Sequence, residues 1–256
     1  MARVISIINE KGGSGKTTTS VNLGAFLSKF GNKVLLVDLD PQANATISLG
    51  LNPQKIPLNL YHGFSEKISL KDITKKSSLF NFDIIPSSAD LAGINVDFAS
   101  EKDRENILGS KLSEAKEEYD FIIIDPPPSL GILTLNSLMA ANELIIPIQC
   151  EFFALQSLNQ LFEIFELLEK NLNKKFNKIS GLLTMYDRRN ILSRNIAKEA
   201  KEKFISDVFE TIVPRSVKLA EAPKFGKTIY QHAPSSKGAI AYEMLAQEII
   251  KNNESK

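Results

Sequence analysis

Nine residues near the start of this chain read Glu10-Lys11-Gly12-Gly13-Ser14-Gly15-Lys16-Thr17-Thr18. A β-branched apolar run at residues 4–8 precedes this stretch, and the spacing of apolar residues over 17–29 predicts an amphipathic helix after it. A glycine-rich turn from a strand into a helix gathers backbone N–H groups at the positive end of that helix, where they bind phosphate. The sequence therefore predicts a phosphate-binding loop.

Two side chains at the end of this loop indicate a nucleotide with a metal ion. The spacing places Lys16 at the terminal phosphates, and it places the hydroxyl of Thr17 where it can hold Mg²⁺. The usual phosphate loop begins with a glycine five residues before its Gly-Lys pair, but this chain has Glu10 there, followed by a second lysine, Lys11. We therefore predict a nucleotide site of an unusual subtype.

The composition narrows the class of protein. The chain has 256 residues, of which 43% are hydrophobic and 24% are charged, and its net charge is +1. Cys150 is the single cysteine, so an intrachain disulfide and a thiolate metal cluster are excluded, and two histidines argue against a zinc site. We see neither a leader sequence nor an apolar run near the ~20 residues of a membrane span, so we expect a cytosolic protein. We expect one domain over residues 1–251 and a polar tail over 252–256.

Strand-like and helix-like segments alternate along the chain. Apolar runs predict strands at residues 4–8, 34–37, 82–85, 121–124, 144–148, 179–184 and 208–213. Helical periodicity predicts helices at residues 17–29, 101–118, 132–141, 155–171, 193–204 and 239–251, whereas residues 52–76 give no clear pattern. This alternation predicts an α/β fold with a doubly wound, mostly parallel sheet and helices on both faces.

Carboxylates follow two of these strands. Asp38 and Asp40 end the strand at residues 34–37, and Asp125 ends the strand at 121–124. Ligands of a doubly wound sheet bind at the carboxyl ends of its strands, and phosphate-loop proteins place carboxylates near Mg²⁺ in this way. The alternative is that each Asp caps the next helix, which is a common role for this residue. Two such strands beside a phosphate loop favour the metal and water role.

Five strings of residues carry a resemblance to a known family. They read Lys11-Gly12-Gly13-Ser14-Gly15-Lys16-Thr17-Thr18-Thr19, Val37-Asp38-Leu39-Asp40-Pro41-Gln42, Ile124-Asp125-Pro126-Pro127-Pro128-Ser129, Ile146-Pro147-Ile148-Gln149-Cys150-Glu151 and Glu221-Ala222-Pro223-Lys224-Phe225-Gly226-Lys227. The chain thereby resembles the ParA-type ATPases of the Soj kind, within the deviant phosphate-loop group that also holds MinD. The similarity runs from Met1 to about Ile250.

This resemblance implies a slow, Mg²⁺-dependent ATP hydrolase that pairs as an ATP-sandwich homodimer. In such a dimer Lys11 would cross the interface to touch the partner subunit's nucleotide. The resemblance implies that Asp40 positions or activates the attacking water and that Asp125 binds Mg²⁺ through water, with Asp38 nearby. It also implies an adenine pocket near Met185 and Pro214. The phosphate contacts would come from the loop residues Gly12, Gly13, Ser14, Gly15, Lys16, Thr17 and Thr18.

A basic segment over residues 184–237 is the candidate DNA contact. It holds 11 basic and 6 acidic residues, a net charge of +5 against +1 for the whole chain. The simpler interpretation is a solvated helix face, but the segment also resembles the part of ParA proteins that binds DNA without sequence preference. The candidate DNA-binding residues are Arg188, Arg189, Arg215, Lys218, Lys224 and Lys227. The resemblance further implies a ParB-type protein that stimulates hydrolysis and releases the dimer from DNA, so we expect association with the nucleoid.

Two other functions remain open at this point. A MinD-like ATPase that positions a cellular complex would end in a basic amphipathic helix able to lie on anionic lipid. The helix predicted over residues 239–251 carries Glu243 and Glu248, which favours packing on the sheet over membrane binding. An ATP-dependent ligase for a small molecule shares this kind of loop, but the sequence offers no substrate site for one.

Overall fold

The structure is a computed structural model and describes residues 2–65, 68–151, 154–187, 189–204 and 207–254. Within these residues one sheet of eight strands has the order β3-β4-β2-β5-β1-β6-β7-β8. The strands are β1 (Arg3–Ile7), β2 (Val34–Asp38), β3 (Lys75–Lys76), β4 (Phe82–Ile85), β5 (Phe121–Asp125), β6 (Glu143–Gln149), β7 (Lys178–Tyr186) and β8 (Val213–Pro214).

Helices connect these strands and cover the sheet. They are α1 (Lys16–Lys29), α2 (Asn44–Ser48), α3 (Leu60–Ser65), α4 (Leu70–Ile73), α5 (Ile94–Asp97), α6 (Ile107–Lys111), α7 (Ala115–Glu118), α8 (Ile132–Ala140), α9 (Ala154–Leu172), α10 (Ile191–Lys203), α11 (Val217–Glu221), α12 (Ile229–His232) and α13 (Lys237–Glu254). Short 3₁₀ turns lie at Pro53–Lys55, Ala89–Gly93, Arg104–Asn106 and Ala222–Phe225.

The sheet is parallel except at one edge, where β3 runs antiparallel to β4. Its central strands bury both faces: Ile122 and Ile124 enter one hydrophobic cluster, and Ile123 enters a second cluster with Phe26 of α1 and Tyr242 of α13. Each fully buried isoleucine of this kind contributes about 1.5–3 kcal/mol of hydrophobic free energy. This two-sided burial is why the strands read as continuous apolar runs. It confirms the predicted fold class.

Parallel pairing brings several strand ends to one edge of the sheet. The phosphate loop follows β1, whereas β2 and β5 end in Asp38 and Asp125, which are register partners. The strands β6 and β7 end at Gln149 and Tyr186 on the other side of β1. The sheet therefore gathers the sequence-predicted residues at its carboxyl edge.

The helix predicted over residues 101–118 is wrong. The structure has a 3₁₀ turn at Arg104–Asn106 and two short helices, α6 and α7, in its place. The start of this segment is fixed from outside, because the side chain of Asn136 on α8 accepts from the amide of Leu108 at 2.9 Å and donates to the carbonyl of Arg104 at 2.8 Å. A buried side chain of another helix thus sets where α6 begins.

The strand predicted over residues 208–213 is also wrong for most of its length. Only Val213–Pro214 pairs with β7 as β8, and Val208 forms an isolated bridge with Gly181. The amides of Glu210 and Thr211 donate to the carboxylate of Glu248 on α13, at 2.8 and 3.1 Å. Those amides are satisfied by a side chain, so the segment does not extend the sheet.

Two segments differ from the sequence analysis in a simpler way. Residues 52–76, which gave no pattern, contain short helices and the edge strand β3. The C-terminal helix α13 continues to Glu254, so part of the expected polar tail is helical. The single domain stays a prediction.

One backbone contact joins the segment after β2 to the basic segment. Gly50 follows α2, and Gly226 follows the 3₁₀ turn at Ala222–Phe225; their φ angles are +80° and +60°. A Cβ atom on Gly226 would lie 2.6 Å from the Cα of Gly50, and a Cβ on Gly50 would lie 3.1 Å from the carbonyl oxygen of Gly226. Both positions therefore require glycine, for conformation and for space.

We expect Gly226→Ala to lower the free energy of unfolding by about 3 kcal/mol or more, because it adds a backbone clash to the strain of a left-handed alanine. Gly31→Ala is the matched control, since Gly31 also has a positive φ, +90°, but its Cβ would meet nothing within 4 Å. The control should lose only about 1–2 kcal/mol. Urea unfolding followed by circular dichroism measures both, and equal losses would show that the contact with Gly50 is unimportant.

Candidate nucleotide site

The phosphate loop connects β1 to α1 in the geometry that the glycines predict. Gly13 and Gly15 have φ angles of +76° and +98°, and Gly15 is the residue that caps α1. The hydroxyl of Thr184 on β7 donates to the carbonyl of Ser14 at 2.8 Å, which ties the loop to the neighbouring strand. The backbone amides at the start of α1 therefore face the edge where the strands end.

Two side-chain oxygens of this loop are left without partners. The Oγ of Ser14 and one oxygen of Glu10 are buried and have no hydrogen-bond partner among the described residues. Burial also raises the pKa of Glu10. Glu10 stands where the usual loop has glycine. The structure gives no indication of a role for its side chain.

Lys16 is buried at the first turn of α1, within electrostatic range of two carboxylates. Burial lowers the pKa of Lys16, and the charges of Asp125 and Asp40 oppose that shift. The structure thus brings together a lysine from the phosphate loop and two carboxylates that end neighbouring strands. This is the arrangement that the sequence predicts.

The two carboxylate oxygens of Asp125 differ in their hydrogen bonds to the described residues. Its Oδ1 accepts from the hydroxyl of Ser20 at 2.9 Å, whereas its Oδ2 is buried without a hydrogen-bond partner in the described chain. Burial raises the pKa of Asp125 to about 6, against the opposing effects of Thr17, Ser20 and Lys16. An unpaired buried carboxylate oxygen costs about 1–3 kcal/mol, more if charged, and it is a ready ligand for a cation or its bound water.

Asp38 is fully buried, but its oxygens already have partners. Its Oδ2 accepts from the amide and the hydroxyl of Thr46, at 2.7 and 2.6 Å, and its Oδ1 accepts from the amide of Asp40 at 3.3 Å. Burial, and then the charge of Asp125, raise the pKa of Asp38 to about 8. These contacts are those of a residue that fixes the segment after β2, and its predicted metal role stays a prediction.

Asp40 is held in place by its surroundings. Its carboxylate accepts from the amide of Gln42 at 2.9 Å, and its carbonyl accepts from the hydroxyl of Ser87 at 2.7 Å. Ser87 also donates its amide to Thr46 Oγ1 at 3.0 Å, so Asp38 and Asp40 belong to one hydrogen-bonded network. This network positions the Asp40 carboxylate at the same edge as Lys16.

The predicted adenine residues lie together beside the loop. Met185 and Pro214 line a cavity of about 220 Å³ that Gly15 and Thr18 also line. Most of its other walls are apolar, and Met185 adopts a left-handed conformation with φ +51°. The cavity suits a flat, weakly polar group attached to phosphates.

The candidate DNA residues differ in their surroundings. Arg188 lies outside the described residues. Arg189 and Lys218 are paired with Asp187 and Glu221, whereas Arg215 lies 3.7 Å from Glu151. Lys224 and Lys227 are exposed, with no ion pair to a described residue.

Three polar residues of the site escaped the sequence analysis. Ser20 lies one turn after Lys16 in a run of hydroxyl residues, which is a signal that could have indicated it. Thr46 and Thr184 carry no such signal, because each meets its partner only through the tertiary fold.

The described residues lack two features that would bear on function, a cluster of metal-binding side chains and a membrane-spanning helix. Histidine, cysteine and carboxylate side chains form no group of three or more there that could hold a metal ion by itself. Any metal at Asp125 would therefore take further ligands from hydroxyls, water or a bound phosphate. The described helices also include none long and apolar enough to cross a bilayer.

The fold and the site define a phosphate-loop nucleotide-binding protein. A family model described as an AAA domain matches residues 2–178. The chain is 44% identical to the sporulation initiation inhibitor protein Soj of Bacillus subtilis over 98% of this chain and 100% of that protein. It is 40% identical to the chromosome partitioning protein ParA of Caulobacter vibrioides, over 97% of this chain and 94% of the relative. The chain therefore belongs to the ParA/Soj family of partitioning ATPases, as predicted.

Solved structures support the same fold. Cobyrinic acid a,c-diamide synthase from Mycobacterium smegmatis, with a bound ATP analogue and magnesium, superimposes with a TM-score of 0.86 at 32% identity, over 100% of this chain and 97% of that one. The cell division ATPase MinD of Pyrococcus furiosus superimposes with a TM-score of 0.81 at 26% identity, over 98% and 100% of the two chains.

The raised pKa values of Asp38 and Asp125 predict how stability depends on pH. Both folded-state pKa values exceed the ordinary value, so above about pH 4 these two carboxyl groups bind more protons in the folded chain than in the unfolded chain. Their contribution to the free energy of unfolding therefore falls as the pH rises towards 8. Asp38→Asn cannot ionise at this position. Between pH 5 and pH 8 its free energy of unfolding should therefore rise, relative to that of the wild type, by on the order of 3 kcal/mol.

Urea unfolding at several pH values checks this prediction. Asp72→Asn, which removes an exposed carboxylate, is the control and should keep the wild-type slope. If Asp38→Asn also keeps the full slope, then Asp38 is ionised in the folded protein.

Proposed function

We propose that this chain is an ATP-dependent DNA-partitioning ATPase. In the proposed ATPase cycle, ATP binding closes a homodimer, and the dimer binds DNA without sequence preference. Hydrolysis stimulated by a ParB-type partner then releases the dimer from the DNA. The single observation that carries the proposal is the buried Oδ2 of Asp125, which has no hydrogen-bond partner among the described residues and ends β5 beside the phosphate loop, close enough for its charge to act on Lys16. The partitioning relatives that match nearly the whole chain give this site its context.

The residues present fit Mg²⁺ and the phosphates of ATP. The unpaired Oδ2 of Asp125 and the hydroxyl of Thr17 are oxygen ligands of the type that Mg²⁺ accepts, directly or through water. When bound, Mg²⁺ neutralises charge that develops on the phosphates. Lys16 and the loop amides bind phosphate oxygens, and the cavity beside Met185 and Pro214 takes the base.

Asp40 is the residue best placed to handle the attacking water. It lies at a strand end beside Lys16, and its carboxylate is oriented by the amide of Gln42. Its backbone is fixed by Ser87, so the carboxylate accepts a hydrogen bond from water at a defined position. The segment after β2 thus supplies a positioned base, and Asp38 supports it through the shared network.

Lys11 is the residue proposed to close the dimer. The loop conformation does not depend on its side chain, because the side chain of Asn9 accepts from the Lys11 amide at 2.9 Å and donates to the carbonyl of Pro147 at 2.7 Å. The Lys11 backbone is thus held without its ammonium group, which pairs with Glu151 of the same subunit at 2.9 Å. The ammonium group is proposed to contact the phosphates of the second subunit's nucleotide.

We expect Asp40→Ala to bind ATP and to form a dimer that persists, because the water is no longer positioned while the phosphate ligands remain. Turnover should fall by about 10²-fold or more. Gel filtration with ATP and Mg²⁺, together with a phosphate-release assay, measures both properties. Asp90→Ala, which removes an exposed carboxylate, is the control and should hydrolyse ATP as the wild type does. An Asp40→Ala chain that stays monomeric, or that turns over normally, would remove Asp40 from this role.

The DNA contact is proposed to be electrostatic. Lys224 and Lys227 are exposed and carry no described ion pair, and Lys218 and Arg215 lie on the same stretch of chain. One subunit presents few such cations, whereas a two-fold dimer doubles the number of phosphates neutralised. Affinity rises steeply with that number and falls steeply with salt.

We expect the double variant Lys218→Glu and Lys224→Glu to weaken ATP-dependent DNA binding by about 10-fold or more, because it reverses two charges that neutralise phosphates. Neither residue lines the cavities beside the phosphate loop. Lys55→Glu with Lys170→Glu makes the same charge change at exposed positions elsewhere and is the control. Mobility shifts on two unrelated duplexes across a salt series, at concentrations where all variants are dimeric, measure the effect. Binding to anionic vesicles but not to DNA would favour the MinD-like function instead.

The ligase function has weaker support. The likeness to cobyrinic acid a,c-diamide synthase is at 32% identity, below the 44% identity to the Soj relative. That likeness extends over 100% of this chain, so the fold by itself does not separate the two functions. The partitioning function is therefore the one proposed.

A further inference from the structure

The carboxylate of Glu151 accepts two hydrogen bonds and forms a longer ion pair with a third group. Lys11 of the phosphate loop donates to its Oε2 at 2.9 Å, and Gln149 at the end of β6 donates to its Oε1 at 2.6 Å. The guanidinium of Arg215, in the loop between β8 and α11, lies 3.7 Å from the same Oε1. Glu151 thus joins the loop that binds phosphate to the basic segment.

The backbone around Glu151 is anchored independently of these side-chain contacts. The Glu151 amide donates to the carbonyl of Gln149 at 2.7 Å, and the Cys150 amide donates to the carbonyl of Thr184 at 3.3 Å. The hydroxyl of Ser193 on α10 donates to the Cys150 carbonyl at 3.3 Å. Glu151 is therefore held beside the loop whether or not Lys11 contacts it.

The ion pair between Lys11 and Glu151 is not needed to shape the phosphate loop. Asn9 already fixes the Lys11 backbone, as described above. The pair is half exposed, with the Lys11 side chain at 27% and the Glu151 side chain at 48% of full exposure. The ion pair therefore acts on the position of the Lys11 ammonium group, which it holds beside Glu151.

We propose that Glu151 is a brake on subunit pairing, because it holds Lys11 against its own subunit until a second subunit's nucleotide competes for the ammonium group. This inference rests on the proposed function, in which Lys11 acts across the dimer interface. Release of Lys11 does not leave a bare carboxylate, since Gln149 and Arg215 remain beside Glu151. The contact can therefore open and close at small cost.

The size of the brake follows from the exposure of the pair. One exposed ion pair changes an equilibrium by about 1.5- to 5-fold. A two-fold dimer must open two such pairs, so the combined effect on the dimer dissociation constant is about 2- to 30-fold. The highly charged phosphates of ATP overcome a brake of this size, but at low subunit concentration it keeps the chain monomeric.

The test measures the monomer–dimer dissociation constant by sedimentation velocity with Mg²⁺ and a non-hydrolysable ATP analogue. Glu151→Gln keeps the size of the side chain and removes its charge, so it should lower the dissociation constant by about 2- to 30-fold. Glu118→Gln breaks the exposed ion pair of Lys71 and Glu118, makes the same charge change and should leave the constant unchanged. Lys11→Ala, alone or with Glu151→Gln, should not dimerise, because the ammonium group that the brake would release is then absent.

The outcomes separate this inference from the proposed function. If the wild type dimerises and Glu151→Gln does so no more tightly, the brake is overturned; weaker pairing would mean that the carboxylate stabilises the assembled dimer. If neither the wild type nor any variant dimerises with the analogue, the proposed pairing fails and the brake fails with it. Nucleotide affinity of the monomer, measured with ADP, should be equal in the wild type and Glu151→Gln, and a lower affinity in the variant would assign Glu151 to the shape of the loop.

Discussion

The electrostatic balance between a buried lysine and two nearby carboxylates is the interaction on which the site depends. Lys16 pays a desolvation penalty that lowers its pKa, and the charges of Asp40 and Asp125 oppose that penalty. Each of the three charged groups is costly to bury without the others. The site therefore requires a fold that brings the strand ends and the loop together. The parallel register of β1, β2 and β5 does this, because all three strands end at one edge.

The segment after β2 connects this site to the rest of the molecule. Asp38 binds Thr46 at the start of α2, and Gly50 beyond α2 meets the backbone of Gly226. Gly226 lies beside the exposed lysines of the basic segment. A chain of direct contacts therefore runs from the carboxylates to the candidate DNA surface.

Much of the fold was predictable, because two-sided burial leaves a plain signal. The strand at residues 82–85 has the predicted bounds. The prediction that Asp38 and Asp125 lie at the ends of β2 and β5 is also confirmed. The failures share one cause, which is a partner distant in sequence. Asn136 decides where α6 begins, and Glu248 satisfies amides that would otherwise join β8. For the same reason the sequence did not predict the contact of Thr46 with Asp38 or that of Glu151 with Lys11. A local sequence pattern does not indicate which distant side chain will form a contact.

The charges at the site also imply that metal and phosphate bind together under the proposed function. Phosphate arriving alone would bring negative charge beside Asp40 and Asp125, and only Lys16 and the loop amides would oppose it. A cation arriving alone would find one unpaired Asp125 oxygen and few other ligands among the described residues. Each of the two removes the obstacle to the other, because the cation neutralises the added charge and the phosphates complete its ligands. The raised pKa of Asp125 fits this account, since its carboxyl is protonated most easily when no cation is beside it.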